Sequence, residues 1–210
     1  MIHAAPVLPD RRSITPYVPP LNIVITMEMT TPFLLPAVWE DALQVIDLIS
    51  SADENALLYL TGKNSLDEAK EVYRQGFSRE DVYYSYRFTL VCFVNGRLAG
   101  CILAFPGFLE PDFISEADSS LPDVREAEDD ELYIDSLAVY PEFRGQKISR
   151  YLIDAVKVQA KKHQLSKLSL LADDAKPYLE KMYRSYGFEV VEEIILDGVR
   201  HKKMTYLIKS

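Results

Sequence analysis

Residues 132–153 constrain the fold most, because they read as one strand that turns directly into one helix. The run 132–139 is apolar and rich in β-forming residues, and a proline follows it closely. A short polar turn then holds Arg144 and Gly145, and apolar residues recur at helical spacing from Ile148 onward. Such a junction points several free backbone N–H groups at one spot, which suits an anion such as a pyrophosphate.

The turn in this junction resembles the signature of the GNAT superfamily of N-acetyltransferases, Arg/Gln-x-x-Gly-x-Gly/Ala between the fourth strand and the third helix. The six positions are occupied here by Arg144, Gly145, Gln146, Lys147, Ile148 and Ser149. Lys147 therefore stands where the family has its first glycine, and it loses the freedom of glycine at positive φ. Ser149 stands where the family has its last small residue, and serine suits a helix start.

A second feature adds to the resemblance. The pattern Leu179-x-x-Met182-Tyr183-x-x-x-Gly187-Phe188 lies at a distance from the turn that is typical of the family. The likeness covers roughly residues 31–208 and implies an α/β fold, with a mixed, splayed β-sheet flanked by helices on both faces. It divides the chain into a proline-containing N-terminal extension, 1–30, which we expect to be loosely attached, and one acetyltransferase domain, 31–210.

Hydrophobic periodicity predicts the elements of this domain. Strands are predicted at 33–35, 88–94, 97–105, 132–139, 167–172, 188–195 and 202–208, and helices at 41–50, at 65–76, from 148 onward and between Pro177 and Gly187. The second helix is marked by Ser65 with Glu68 three residues later, a capping-box pattern.

Two stretches near these elements have two interpretations each. The acidic stretch 106–131 is either a lip that attracts an ammonium substrate or a solvated loop. The tyrosines Tyr83, Tyr84 and Tyr86 either help to wall an acceptor pocket, as this neighbourhood does in the family, or pack at a strand entry.

Charge and hydropathy exclude several functions. The chain has 210 residues, which suits one domain, and a formal net charge of −9. Nucleic acid is not an expected partner, because phosphate binding needs a basic face, whereas an amine acceptor is compatible with this charge. No apolar run approaches the roughly 20 residues that span a bilayer, and the N-terminus lacks the apolar core of a signal peptide, so no membrane partner is expected.

The two cysteines, Cys92 and Cys101, flank the turn Asn95-Gly96, the strongest short hairpin signal in the chain. A two-residue hairpin would set Cys92 opposite Ala99 and Cys101 opposite Leu90, so the cysteines would lie on a diagonal and a disulfide is not expected. Free thiols are consistent with a reducing cytoplasm, which is the predicted location.

The resemblance implies acetyl-CoA as co-substrate and direct attack by a primary amine, either a small molecule or a peptide. It implies that backbone groups of the strand segment Leu137, Ala138 and Val139 hold the pantetheine arm and that the turn 144–149 holds the pyrophosphate. A backbone N–H near Leu137 would stabilise the oxyanion, a contact typically worth about 3 kcal/mol.

The same resemblance gives Tyr183 the role of general acid for the departing thiolate. For the general base, strand alternation places Glu131, Tyr133 and Asp135 on one face. Some family members carry a glutamate where this chain has Tyr133, so we expect Asp135 to be the base, with Glu131 as the alternative.

The sequence also bears on alternative functions, on metal binding and on assembly. Lys147 in the turn and Tyr133 on the strand also allow a non-catalytic CoA-binding or sensing module, and a globular interaction domain is a weaker alternative. The histidines His3, His163 and His201 show no ligand spacing, so no metal is expected. The oligomeric state is not determined by the sequence, and a homodimer is one option.

Overall fold

The computed structural model describes residues 31–52, 57–58, 61–113, 125–196 and 198–209. The expected N-terminal extension, 1–30, lies outside the described residues. Seven strands form one sheet in the order β1-β2-β3-β4-β5-β7-β6. They are β1 (Phe33–Pro36), β2 (Thr89–Val94), β3 (Arg97–Pro106), β4 (Glu131–Val139), β5 (Lys167–Asp173), β6 (Glu189–Leu196) and β7 (Val199–Leu207). Only β4 and β5 pair in parallel, so the sheet is mixed, as predicted.

Helices cover both faces of the sheet, which confirms the predicted architecture. On one face, α1 (Ala42–Ala52) and α2 (Leu66–Phe77) bury apolar side chains against the sheet. On the other face, α3 (Ile148–Lys162) and α4 (Pro177–Ser185) do the same. Each helix carries its apolar residues on one stripe, and burying that stripe is the main source of stability for such a layer. The two resulting cores lie on opposite sides of β3 and β4.

Local signals behave as the sequence predicts at two places. The Ser65 side chain accepts a hydrogen bond from the backbone N–H of Glu68 at 3.2 Å and so caps α2. Asn95 and Gly96 both have positive φ, 53° and 74°, as the turn of a two-residue hairpin requires.

The predicted partners of the cysteines were wrong by one position. Cys92 lies opposite Gly100 instead of Ala99, and Cys101 lies opposite Val91 instead of Leu90. The cause is a β-bulge next to Cys92, which inserts one extra residue into β3. The two thiols belong to cores on opposite faces of the sheet and are free. Burial raises the pKa of Cys101 to about 12, so this thiol stays protonated and unreactive.

No helix within the described ranges has both the length and the apolar character that crossing a bilayer requires.

Candidate active site

The sheet opens between β4 and β5. Their parallel pairing covers only Glu131 to Tyr133 against Lys167 to Ser169, and beyond this point β5 pairs with β7 alone. The remaining part of β4, from 134 to 139, keeps β3 as its only partner strand among the described residues. The two parallel strands therefore diverge and leave a gap in the sheet, as the predicted splay requires.

Backbone groups of Leu137 and Val139 face this gap. The N–H of Tyr140 donates to Ala99 O on β3 at 3.0 Å, and in an antiparallel pair every second residue points its backbone groups to the same neighbour. Ala138 therefore also points its groups to β3, while the groups of Leu137 and Val139 point away from β3. The resemblance implies that Leu137, Ala138 and Val139 hold the pantetheine arm. The backbone groups of Leu137 and Val139 are free to do so, whereas those of Ala138 are engaged with β3.

A second bulge lies at Asp135, at the mouth of the gap. The register passes from Ile134 opposite Ala104 to Ser136 opposite Leu103, so Asp135 has no partner on β3. A bulge bends its strand and changes the alternation of side chains. Ile134 and Leu137 consequently lie on the same face although three positions separate them. This bulge could not be predicted from the sequence, because no glycine or proline marks it.

The turn after β4 is built on two residues in the left-handed region. Gly145 has a φ of 80°, and Lys147, directly before α3, has a φ of 62° and a ψ of 18°. A Cβ added at Gly145 would meet no atom within 4 Å, so a ligand can approach the backbone there. The turn also ends at the N-terminus of α3, whose free N–H groups favour an anion.

Two cations of this turn have no carboxylate partner. Arg144 and Lys147 are exposed, and neither forms an ion pair within the part of the chain that the structure describes. The Arg144 Nε donates only a long bond of 3.4 Å, to Val139 O at the edge of the gap. Both side chains therefore remain available to phosphate groups, and the residues present fit a pyrophosphate.

Tyr183 has a buried ring and a hydroxyl with no partner. The ring is 8% exposed and packs edge-to-face on Phe188, with centroids 5.8 Å apart. Among the described residues the hydroxyl forms no hydrogen bond, and it is not sealed from solvent. Burial raises the pKa of Tyr183 above its ordinary value, so the phenol carries its proton at neutral pH.

The helix that carries Tyr183 is fixed to the start of α3 by a set of polar contacts, which we call the α3–α4 latch. The Tyr186 hydroxyl lies 2.7 Å from Ser149 Oγ, and Arg150 donates to Ser185 O at 2.9 Å while its guanidinium covers the Tyr186 ring. The latch ties the pyrophosphate turn to the helix with the candidate acid. The α3–α4 latch could not be predicted from the sequence, because its partners lie far apart along the chain.

Glu131 is enclosed in the sheet. It is 2% exposed, and its Oε2 accepts from Ser169 Oγ at 2.7 Å and lies 3.1 Å from Lys203 Nζ. These contacts join β4, β5 and β7. Glu131 therefore serves as a buried structural ion pair and is poorly placed to meet a substrate.

Asp135 lies at the surface but within a cleft. Its accessible area is that of an exposed residue, whereas protein atoms surround it as densely as a buried one. Both observations hold for a carboxyl group on the floor of an open cleft. Lost hydration raises the pKa of Asp135 to about 6, while a 2.7 Å hydrogen bond from Ser136 Oγ favours the charged form and opposes this rise.

Two of the three tyrosines before β2, Tyr84 and Tyr83, fit different interpretations. Tyr84 is buried and stacks on Tyr73 with centroids 4.2 Å apart, as structural packing predicts. Tyr83 is only half-buried, and its hydroxyl lies 3.0 Å from that of Tyr73. Burial raises the pKa of both phenols, and the charge of Asp135 adds to this effect. Tyr83 keeps accessible surface, as the acceptor-pocket interpretation requires.

Part of the acidic stretch also borders this cleft. Glu110 accepts hydrogen bonds from the N–H groups of Glu126 and Ala127 at 2.8 and 2.9 Å, and the Tyr133 hydroxyl donates to Glu126. These contacts fix the end of the stretch against β4. Residues 114–124 lie outside the described part, so the lip as a whole stays a prediction.

The described residues contain no group of three or more histidine, cysteine, aspartate or glutamate side chains that could hold a metal ion.

Known acetyltransferases resemble this chain in sequence pattern and in fold. Residues 115–208 match the family model described as an acetyltransferase (GNAT) domain. A crystal structure of an acetyltransferase superimposes with a TM-score of 0.70 at 22% identity, over 84% of this chain and 100% of its own. An N-acetyltransferase from Staphylococcus aureus Mu50 gives 0.68 at 22% identity, over 83% of this chain and 100% of its own. The PaiA N-acetyltransferase from Thermoplasma acidophilum, in complex with coenzyme A, gives 0.52 at 17% identity, over 84% and 99%. No curated protein matches the chain.

Proposed function

We propose that the chain is an acetyltransferase of the GNAT superfamily, whose domain model residues 115–208 match, and that it moves an acetyl group from acetyl-CoA to a primary amine by direct attack. One observation carries this proposal. The parallel ladder between β4 and β5 ends at Tyr133 and Ser169, and the gap opens beside a turn at a helix N-terminus with two cations that pair with no carboxylate of the described residues. A diphosphate and a thioester arm need this combination of an anion site and free strand backbone.

We assign the donor contacts as follows. Backbone N–H groups in the turn 144–149 and the side chains of Arg144 and Lys147 bind the pyrophosphate. The gap-facing backbone groups of Leu137 and Val139 bind the pantetheine arm, and the N–H of Leu137 donates to the carbonyl oxygen as negative charge develops there. Removing one such donor typically costs about 3 kcal/mol of transition-state stabilisation.

The reaction breaks the bond between the acetyl carbon and the CoA sulfur and forms a bond from that carbon to the amine nitrogen. The acceptor ammonium first passes one proton to the Asp135 carboxylate, directly or through water. The Tyr183 phenol protonates the departing thiolate and recovers a proton from the amine through solvent. The products are the acetylated amine, CoA with a free thiol and one net proton.

Asp135 is preferred to Glu131 as the base, because Glu131 is held in the buried pair with Lys203. We also propose a cytoplasmic location, since the two thiols are free and lie on opposite faces of the sheet. A non-catalytic CoA-binding module is the second candidate. It is favoured by Tyr133, which gives its hydroxyl to Glu126 where some family members have a catalytic glutamate.

Free-thiol release from acetyl-CoA in the presence of primary amines tests the proposal. Tyr183→Phe should lower kcat by about 10²-fold or more with little change in the Kd for CoA, because the phenol acts on the leaving thiolate and not on the pyrophosphate. Tyr178→Phe is the matched control, since Tyr178 lies on the same helix but is 65% exposed. We expect its kcat to equal that of the wild type.

Two results separate the candidates. Unchanged turnover in Tyr183→Phe removes Tyr183 from the role of acid and leaves acetyl transfer standing. Tight CoA binding by calorimetry, with no thiol release across a broad set of amines, contradicts acetyl transfer and supports the CoA-binding module.

A further inference from the structure

Aromatic side chains form a continuous layer next to Asp135. The layer consists of Tyr83, Phe88, Phe105, Phe113 and Tyr133. Phe105 lies at its centre, with ring centroids 5.1 Å from Phe113, 5.5 Å from Tyr133 and 6.1 Å from Tyr83. Phe88 packs edge-to-face on Phe113 at 5.4 Å. We call this set the aromatic layer; it draws its members from β3, β4 and two connecting segments.

The aromatic layer is only partly closed. Phe105 and Tyr133 are each 3% exposed and form its base, whereas Tyr83, Phe88 and Phe113 keep part of their rings accessible. The three accessible rings pack against the core and are not enclosed in it. A layer with a buried base and an accessible rim instead resembles the wall of a site for an apolar group.

Asp135 lies beside the aromatic layer. It follows Tyr133, a member of the layer, by two positions on β4, and its charge adds to the effect of burial, which raises the pKa of the Tyr83 and Tyr133 phenols. It also lies two positions before Leu137, whose N–H faces the gap. An amine nitrogen held at Asp135 is therefore near the expected acetyl carbonyl, and its carbon body extends over the rings.

The charges around the aromatic layer fit one ammonium. Glu110 is paired with Arg125 at 3.6 Å, Glu131 is paired with Lys203, and Glu126 accepts the hydrogen bond of the Tyr133 hydroxyl. Asp135 pairs with no lysine or arginine of the described residues, and its hydrogen bond comes from Ser136. An unpaired carboxylate beside aromatic rings is the arrangement that binds an organic cation.

We propose that the acceptor is a primary monoamine with an aromatic body, its ammonium at Asp135 and its ring against the aromatic layer. This inference rests on the proposed acetyl transfer and specifies its substrate class. Aromatic pairs add about 0.5–1.5 kcal/mol beyond the area that they bury. A polyamine would instead place a further ammonium on an apolar surface, where desolvation opposes binding.

The test compares kcat/KM for 2-phenylethylamine, 2-cyclohexylethylamine and spermidine, measured by free-thiol release. The first two differ mainly in whether the ring is aromatic. We expect 2-phenylethylamine to exceed 2-cyclohexylethylamine by about 3- to 10-fold, which corresponds to one or two aromatic contacts. It should exceed spermidine by at least about 10-fold, because the second charge is desolvated.

Variants of the aromatic layer give the matched comparison. Tyr83→Leu keeps apolar volume but removes the ring, and it should bring the phenyl-to-cyclohexyl ratio close to one. Phe108→Leu removes an exposed ring outside the aromatic layer and should leave the ratio unchanged. Should Tyr83→Leu fail to fold, which its melting temperature would show, Phe113→Leu makes the same comparison from another segment.

The outcomes distinguish this inference from the function on which it rests. A higher kcat/KM for spermidine or 2-cyclohexylethylamine overturns the inference and leaves acetyl transfer intact. So does an unchanged ratio in both folded variants. CoA binding without thiol release for any amine overturns both.

Discussion

At the scale of single residues, Lys147 carries a conformational cost that its position imposes. Its φ of 62° is in the left-handed region, which costs a residue with a Cβ about 1–2 kcal/mol. Lys147→Gly should therefore raise the free energy of unfolding by about 1 kcal/mol, measured by urea denaturation. The same change removes an unpaired ammonium and should weaken CoA binding by about 2- to 5-fold, measured by calorimetry.

Lys147→Ala is the matched control, because it removes the ammonium but keeps a Cβ at positive φ. It should weaken CoA binding to the same extent without raising stability. Equal stability of the glycine and alanine variants would contradict the account of strain at Lys147.

Individual residues also show how far the sequence could be interpreted. The turn residues 144–149 and Tyr183 could be picked out because their spacing matches a known pattern, and the structure places them at a helix N-terminus and in a buried stripe. Asp135 could be preferred to Glu131 as the base from its position on β4, but the enclosure of Glu131 could not be predicted. That enclosure depends on Lys203 and Ser169, which approach Glu131 from two other strands.

At the scale of elements, the α3–α4 latch should position the acid. Tyr186 follows Tyr183 by one helical turn, and its hydroxyl contacts Ser149 in the pyrophosphate turn. If Tyr183 acts on the CoA sulfur, loosening this contact misplaces the phenol. Tyr186→Phe and Ser149→Ala should each lower kcat by about 3- to 10-fold, in line with a hydrogen bond worth about 1 kcal/mol.

A double-mutant cycle distinguishes positioning from a general loss of stability. The double variant should lose no more kcat than either single variant, because each one already breaks the same contact. Additive losses in kcat would show that the two hydroxyls act separately. A fall in melting temperature with unchanged kcat would show that the α3–α4 latch is only structural.

Elements differ in how well they could be predicted. The hairpin at Asn95-Gly96 and the cap at Ser65 follow from local chemistry, and both appear where the sequence places them. The bulge at Asp135 has no distinctive residue type to mark it, whereas the bulge next to Cys92 has Gly100 on the opposite strand, a glycine inside a strand that can mark a bulge. A bulge reflects how neighbouring strands fit together, so it shifted the predicted cysteine register and left the geometry around the candidate base unforeseen.

At the scale of the whole molecule, the divergence of β4 from β5 divides the sheet into two parts that share only a short parallel ladder. The order of elements could be predicted from hydrophobic periodicity, and the resemblance implied the splay. Periodicity alone does not give the splay, because a strand that borders a gap and a strand inside a continuous sheet are equally apolar.

A ligand in this gap should stabilise the whole fold, because it would contact both parts of the sheet. At a concentration of CoA about 100 times its Kd, linkage adds about 2.7 kcal/mol to the free energy of unfolding. For a chain of this size that corresponds to a rise in melting temperature of about 5–10 °C, measured by calorimetry.

Arg144→Gln should reduce the rise measured at the same CoA concentration, because it removes a phosphate contact. Arg200→Gln, at an exposed cation paired with Glu193 near the far edge of the sheet, should leave it unchanged. An unchanged melting temperature in saturating CoA would mean that the gap holds no CoA, and the chain would then have to be regarded as an interaction domain.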